Sequence, residues 1–237
     1  MNERPFLAFL CAHLTDERLY SAQVAALAAD YDCRVFVFRH QDSLGAMADD
    51  VLANTPARFT VIGLSLGGYV AFELIRRQRD RLERIALLDT TAVADHPLRR
   101  ASRFADIEKV RQGGIDALIP ELASRWMLPA HAQRPDLVAT MASMARSVGA
   151  RGQFNQQTAM LARPDSHDDL ARVDVPMLVM CGFEDPVTPI ADHRAMAAQV
   201  RGSRLEFIAD CGHLSTIEQP DAVNAVLAGW LGATAIS

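Results

Sequence analysis

Six short, nearly all-apolar runs punctuate the chain: Phe6–Cys11, Cys33–Phe38, Phe59–Leu64, Ile85–Leu88, Met177–Cys181 and Leu205–Ile208. Runs of this length without polar alternation suit parallel strands that helices cover on both faces. Between them the apolar period changes. Tyr20, Val24 and Leu27 recur at helical spacing within 16–30, and Val70, Leu74 and Ile75 do so after Ser65. Near the end, Val223, Val226, Leu227 and Trp230 form another stripe, opened by Pro220 and Asp221, residues that favour a helix start. Alternation of this kind predicts a doubly wound, mostly parallel α/β sheet.

The alternation breaks once. Residues 95–172 hold no strand-like run but show helical stripes, among them Ile107 and Val110, Leu118 and Leu122, Leu137, Met141 and Met144. Pro97, Pro120, Pro129, Pro135 and Pro164 punctuate them as helix starts or breaks. So long a strand-free stretch is too much for a plain loop. The expected organisation is a sheet core of residues 1–94 and 173–237, with a helical cap inserted at 95–172.

Composition narrows the class. Of 237 residues, 50% are hydrophobic and 22% charged, which excludes a disordered chain. The formal net charge of −5 argues against nucleic acid as a partner. No apolar stretch is long enough to span a membrane. The run from Phe6 to Ala12 is short and ends at His13, Thr15 and Asp16, without a small-residue cleavage site. It therefore reads as a buried strand, and a cytoplasmic location is expected. The four cysteines are scattered without a C-x-x-C pair, as buried free thiols would be. The seven histidines show no metal-ligand spacing.

The most informative segment is Phe59-Thr60-Val61-Ile62-Gly63-Leu64-Ser65-Leu66-Gly67-Gly68-Tyr69. An apolar strand runs into G-x-S-x-G and a helical pattern follows, the context of a nucleophile elbow. Such a serine sits on a strained strand-to-helix turn. Gly63 and Gly67 would leave room where the turn closes, and Gly68 would let the helix pack closely. A phosphate-binding loop does not fit, because the spacing differs and no lysine follows.

A serine hydroxyl needs a neighbouring base. His213, in Cys211-Gly212-His213-Leu214, follows the last strand-like run. Asp185, in Gly182-Phe183-Glu184-Asp185-Pro186, follows the one before. Serine, acid, base is the chain order expected with such an elbow, and all three fall just after the carboxyl ends of strands. Asp89 and Glu184 are rival acids; Asp89 alternatively bonds backbone amides at the base of the inserted segment. The oxyanion donors expected are the backbone N–H groups of Leu66 and His13. The His13 side chain either enters the pocket or faces solvent. The cap is expected to line the pocket with Trp126, Met127, Met141, Met144 and Phe154, although methionines at helical spacing equally suit ordinary packing.

Thr60–Tyr69, Leu87-Leu88-Asp89-Thr90, Gly182–Pro189 and Gly212–Pro220 together resemble the α/β-hydrolase superfamily, and small bacterial esterase-type members with a helical cap most of all. The likeness spans nearly the whole chain and is weakest in the cap. It implies a sheet with helices on both faces, no cofactor, and hydrolysis through an acyl-enzyme. Two departures stand out. Relatives usually carry His-Gly or Pro-Gly where this chain has Cys11-Ala12, and alanine lacks glycine's freedom at positive φ. Relatives also tend to have aspartate and glycine where this chain reads Arg39-His40-Gln41-Asp42. Both departures are expected to line the pocket.

The sequence thus points to cleavage of a small carboxylic ester by Ser65, His213 and Asp185. A lactone, a thioester or a carbon–carbon bond would suit the same triad. A reading of another class is a ligand-binding receptor or interaction protein with negligible turnover. Nothing in the sequence sets the oligomeric state.

Overall fold

The computed structural model describes residues 4–233, so the extreme ends of the expected core, 1–3 and 234–237, lie outside the described residues. Six strands, β1 (Phe6–Leu10), β2 (Asp32–Phe36), β3 (Phe59–Leu64), β4 (Leu82–Leu88), β5 (Met177–Gly182) and β6 (Arg204–Ile208), form one sheet in the order β2-β1-β3-β4-β5-β6. Every pairing is parallel. Each expected strand is present, with ends moved by a few residues.

The sheet's two faces explain the continuous apolar runs. Successive side chains of a strand point to opposite faces. Leu7, Phe9, Ile62, Leu64, Ala86 and Leu88 join one buried cluster, with α1 (Ser21–Leu27) and α10 (Pro220–Gly232). Ala8, Leu10, Val61, Ile85 and Leu87 join the other, with α2 (Leu44–Ala53), α3 (Leu66–Gln78) and α8 (Ile190–Gln199). A strand buried on both sides has no polar face to show.

Between β4 and β5 the chain forms α4 (Pro97–Gly113), α5 (Ile119–Trp126), α6 (Pro135–Leu161) and the short α7 (His167–Leu170), with no strand. Gly149, at φ 71° and ψ 178°, breaks α6 into two helical segments. That conformation suits glycine. The first segment carries Leu137, Met141, Met144 and Val148 into the same cluster as Val110, Leu118 and Leu122.

The strand order reverses between β1 and β3, which makes the carboxyl end of that pair the crevice where doubly wound sheets place their sites. Ser65 follows β3 and His13 follows β1.

Where β1 meets the start of α3 beneath this crevice, the packing leaves no room for added atoms. A methyl on Gly67 would lie 2.1 Å from the Leu10 carbonyl oxygen. Gly67→Ala should therefore cost about 1–3 kcal/mol or more, as overpacking against backbone does. Gly232→Ala, where the methyl meets nothing within 4 Å, should show no such loss. Urea denaturation of the two variants checks this; equal midpoints would refute the close approach.

Candidate active site

The turn at Ser65 is strained, with φ 53° and ψ −108°. Its neighbours hold it there. Ser65 N–H donates to the Leu88 carbonyl at 3.0 Å, and the Thr90 hydroxyl donates to the Ser65 carbonyl at 2.9 Å. The glycines act as expected: a methyl on Gly63 would meet the Gly67 carbonyl oxygen at 2.4 Å, and one on Gly68 the Thr90 hydroxyl at 2.4 Å. The Ser65 side chain is thereby aimed into a cavity of about 400 Å³.

His213 and Asp185 meet Ser65 there. His213 Nε2 lies 3.0 Å from Ser65 Oγ, and its Nδ1–H donates to Asp185 Oδ2 at 2.8 Å. Asp185 also accepts from Val187 N–H (2.7 Å), Thr188 N–H (3.1 Å) and the Thr188 hydroxyl. Burial opposes its ionisation. The His213 imidazole and these donors outweigh burial and hold the carboxyl below its ordinary value.

The rival acids sit elsewhere. Asp89 is fully buried. It accepts from Gly182 N–H at 2.8 Å and from the Ser215 hydroxyl, so it joins the end of β5 to the histidine loop. Burial, then the nearby charge of Asp185, pushes its carboxyl well up. Glu184 accepts from Cys211 N–H at 3.0 Å. Neither is hydrogen-bonded to His213.

Several supports were not singled out from the sequence. Glu218, in the short helix α9 (Ser215–Glu218), has a fully buried side chain. It accepts from Gly212 N–H (3.1 Å) and Leu214 N–H (3.0 Å) on either side of His213. It also accepts from Leu128 N–H (2.9 Å) and meets His131 Nδ1 at 2.9 Å, both in the inserted segment. His213 N–H itself donates to the Trp126 carbonyl at 2.7 Å. His213 is thus fastened to the inserted segment. His193, within α8, accepts from Thr90 N–H through Nε2 (3.2 Å) and donates to the Pro189 carbonyl (3.1 Å). Burial keeps its pKa low, so it links the two loops as a neutral ring.

The loop after β1 departs from the expectation for Cys11-Ala12. Ala12 does not take positive φ; Leu14 does, at 55°. Gln156, on the second segment of α6, compensates. Its amide nitrogen donates to the Phe38 carbonyl (2.6 Å), and its oxygen accepts from Leu14 N–H (2.9 Å) and from His13 Nδ1–H (2.8 Å). Gln157 then donates to His13 Nε2 at 3.3 Å. The His13 ring lies on the cavity wall, edge-on to Trp126 at 6.1 Å. Among the described residues, the His13 backbone N–H has no hydrogen-bond partner. Leu66 opens α3 directly after Ser65, where backbone N–H groups lack helical acceptors.

The expected pocket lining needs correction. Trp126 is on the wall. Met127, just past the end of α5, and Met141 and Met144, on the buried stripe of α6, are packed in the core cluster and do not reach the cavity. Phe154 is half exposed and also absent from the wall. Arg39 and His40 do not line it either; the Arg39 carbonyl instead accepts from Asn155 at 3.0 Å, anchoring the second segment of α6. Beside the apolar Leu98, Trp126 and Met160 of the inserted segment, the wall carries Arg99, Arg103, Asp106 and Arg125. The four cysteines are free thiols. Among the described residues no cluster could hold a metal ion and no helix is long and apolar enough to cross a membrane.

A six-stranded parallel sheet with an elbow serine, and a histidine and an aspartate gathered at its carboxyl edge, defines a class. The chain belongs to the Alpha/beta hydrolase family, which it matches over residues 9–226. It is similar to 3-oxoadipate enol-lactonase 1 of Acinetobacter baylyi, with 29% identity across 96% of this chain and 88% of that protein. Among solved structures it is similar to a thermophilic esterase from Thermogutta terrifontis, determined with malate bound. That likeness has a TM-score of 0.87 and 30% identity, over 97% of this chain and 90% of the other. The enol-lactonase from Burkholderia xenovorans LB400 superposes with a TM-score of 0.89 and 26% identity, over 98% and 93% of the two chains.

His13 gives this site a pH signature. Burial, then the charge of Arg103, lowers its pKa from 6.5 to about 3 despite the bond to Gln156. A base with a depressed folded value adds stability above its unfolded pKa and loses it as pH falls. The loss should run from pH 6.5 down towards about 3. His13→Asn should remove about one proton from the uptake that accompanies unfolding in that window. Thermal melts across the pH range test this, and identical pH dependence in the two proteins would show that His13 is not held neutral.

Proposed function

We propose that the protein hydrolyses a small carboxylic ester through an acyl-enzyme, with Ser65 as nucleophile, His213 as general base and Asp185 as its partner. The observation that carries this reading is the continuous relay from Ser65 Oγ to His213 to Asp185 at the floor of the cavity. His213 takes the Ser65 proton through Nε2 as Oγ attacks the carbonyl carbon. The negative charge on the carbonyl oxygen is met by the N–H groups of Leu66 and His13. The alcohol leaves with the proton from His213, and water then releases the acid by the same steps. Asp185, ionised and fully hydrogen-bonded, keeps the imidazole in the tautomer that leaves Nε2 free to accept. Asp89, engaged by Gly182 N–H and the Ser215 hydroxyl, is not hydrogen-bonded to the imidazole.

A lactone is the second reading, favoured by the enol-lactonases among the relatives. There the leaving alcohol stays tethered to the acyl group, and the same residues act in the same order.

The test is turnover of graded p-nitrophenyl esters and lactones by three variants. Ser65→Ala should abolish hydrolysis. Asp185→Asn should lower kcat by about 10⁴, because the amide favours the wrong histidine tautomer. Asp89→Asn should cost far less, since an amide can still accept from Gly182 and donate to Ser215. A larger loss with Asp89→Asn than with Asp185→Asn would move the acid to the loop after β4. Stoichiometric binding of every substrate without turnover would make the protein a receptor rather than an enzyme.

A further inference from the structure

The cavity beside Ser65 carries more positive charge than its own acids balance. Arg99, Arg103 and Arg125 reach its wall against one carboxylate, Asp106. Arg125 pairs with Asp106 at 2.8 and 3.0 Å and also with Glu121, so the excess lies with Arg99 and Arg103. Arg103 binds Asp95, but Asp95 is shared with a second guanidinium, Arg163, at 2.7 Å. The Asp95 and Arg163 side chains are 2% and 3% exposed, so this cluster holds a net positive charge away from water. Arg103 in turn lowers the pKa of His13, after burial itself. Arg99 donates to the Val187 carbonyl and pairs with no carboxylate among the described residues. Asp185, across the cavity, is directed to His213, Val187 and Thr188.

A guanidinium withdrawn from water without a counter-charge is unfavourable unless an anion joins it. Its planar fork suits a carboxylate in two-pronged fashion. Arg103 places Nε–H and one Nη2–H on Asp95 and its Nη1 hydrogens on Gln157 (3.1 Å) and Met160 (3.0 Å). Arg103 thus commits its fork to Asp95 and keeps a single Nη2–H, whereas Arg99, which gives one Nη2–H to the Val187 carbonyl, keeps a fork for a ligand. We propose that Arg99 and Arg103 form a subsite for a carboxylate on the non-reacting part of the substrate. The natural substrate is then a small ester or lactone that bears a free carboxylate, rather than a neutral aliphatic ester. This rests on Ser65 as the nucleophile of the same cavity. It also couples recognition to chemistry. Gln157 accepts from Arg103 and donates to His13, so two hydrogen bonds join the anion end of the cavity to the oxyanion loop.

The test compares two p-nitrophenyl esters of nearly equal shape, the half-ester of glutaric acid and its neutral glutaramic acid counterpart. The charged ester should have a kcat/KM at least about tenfold higher, the size expected for hydrogen bonds to a charged group. That ratio should fall towards one in Arg99→Gln and Arg103→Gln. Because Arg103 also braces Asp95, Arg99→Gln carries the test if Arg103→Gln does not fold. Calorimetry with glutarate, glutaramide and inorganic phosphate gives a readout independent of turnover. Glutarate should bind the native protein and Arg99→Gln should weaken it. Hydrolysis of both esters at equal kcat/KM with no glutarate binding would overturn the subsite while leaving the hydrolase reading intact. Glutarate binding without hydrolysis of either ester would do the reverse. Phosphate bound as tightly as glutarate would overturn the assignment to carboxylates.

Discussion

Ser65 stands at φ 53° because β1, β3, α3 and the loop after β4 approach one another without side chains between them, and the rest of the site depends on that contact. Gly67 lies against the Leu10 carbonyl, Gly63 against Gly67, and Gly68 against Thr90. Each is a backbone or near-backbone approach that no flexible neighbour can relieve. The strain in the turn persists because the surrounding packing over-determines it. Its consequence is positional: the hydroxyl clears the sheet edge at the one place where strand order reverses, with the β1 loop and its free His13 N–H on the other side.

His213 is placed by a second backbone contact of the same kind. A methyl on Gly182 would lie 2.0 Å from the Gly212 carbonyl oxygen, so the loops carrying Asp185 and His213 are pressed together at their roots. Three buried acids then divide the work. Asp185 stays ionised beside the imidazole, Asp89 is pushed up in pKa and joins β5 to Ser215, and Glu218 gathers the amides around His213 and the inserted segment. Environments that drive neighbouring carboxyl groups apart are how one edge of a sheet can hold a charge where chemistry needs it and avoid it nearby.

The strands were legible in the sequence because both faces of the sheet are buried, so apolar runs and strands coincide. The elbow was legible because its motif is compact, with Gly63 and Gly67 two residues either side of Ser65, even though Gly67 and Gly68 answer to Leu10 and Thr90 far off in sequence. His213 and Asp185 followed from their places after strand ends. The cavity wall was not legible. Whether Met141 faces the cavity or the core depends on how the helices of the insertion turn, and periodicity gives a stripe without saying what it meets. The break at Gly149 redirects the second half of α6, bringing Gln156 and Gln157 to the β1 loop from more than a hundred residues away in sequence. The arginines on the wall, Arg99 and Arg103 on α4 and Arg125 on α5, carry no mark in sequence, because their excess is visible only once Asp95 is seen to be shared by Arg103 and Arg163. Glu218 lay inside a stretch already singled out, but its acceptors point at backbone amides that sequence does not locate.

The central claim is that Ser65 is the one serine activated by His213. Labelling with an organophosphonate, followed by peptide mapping and intact mass, tests it directly. The account predicts a single phosphonyl group per chain on the peptide containing Ser65, and none on Ser65→Ala. An adduct on another residue, or undiminished labelling of Ser65→Ala, would contradict it.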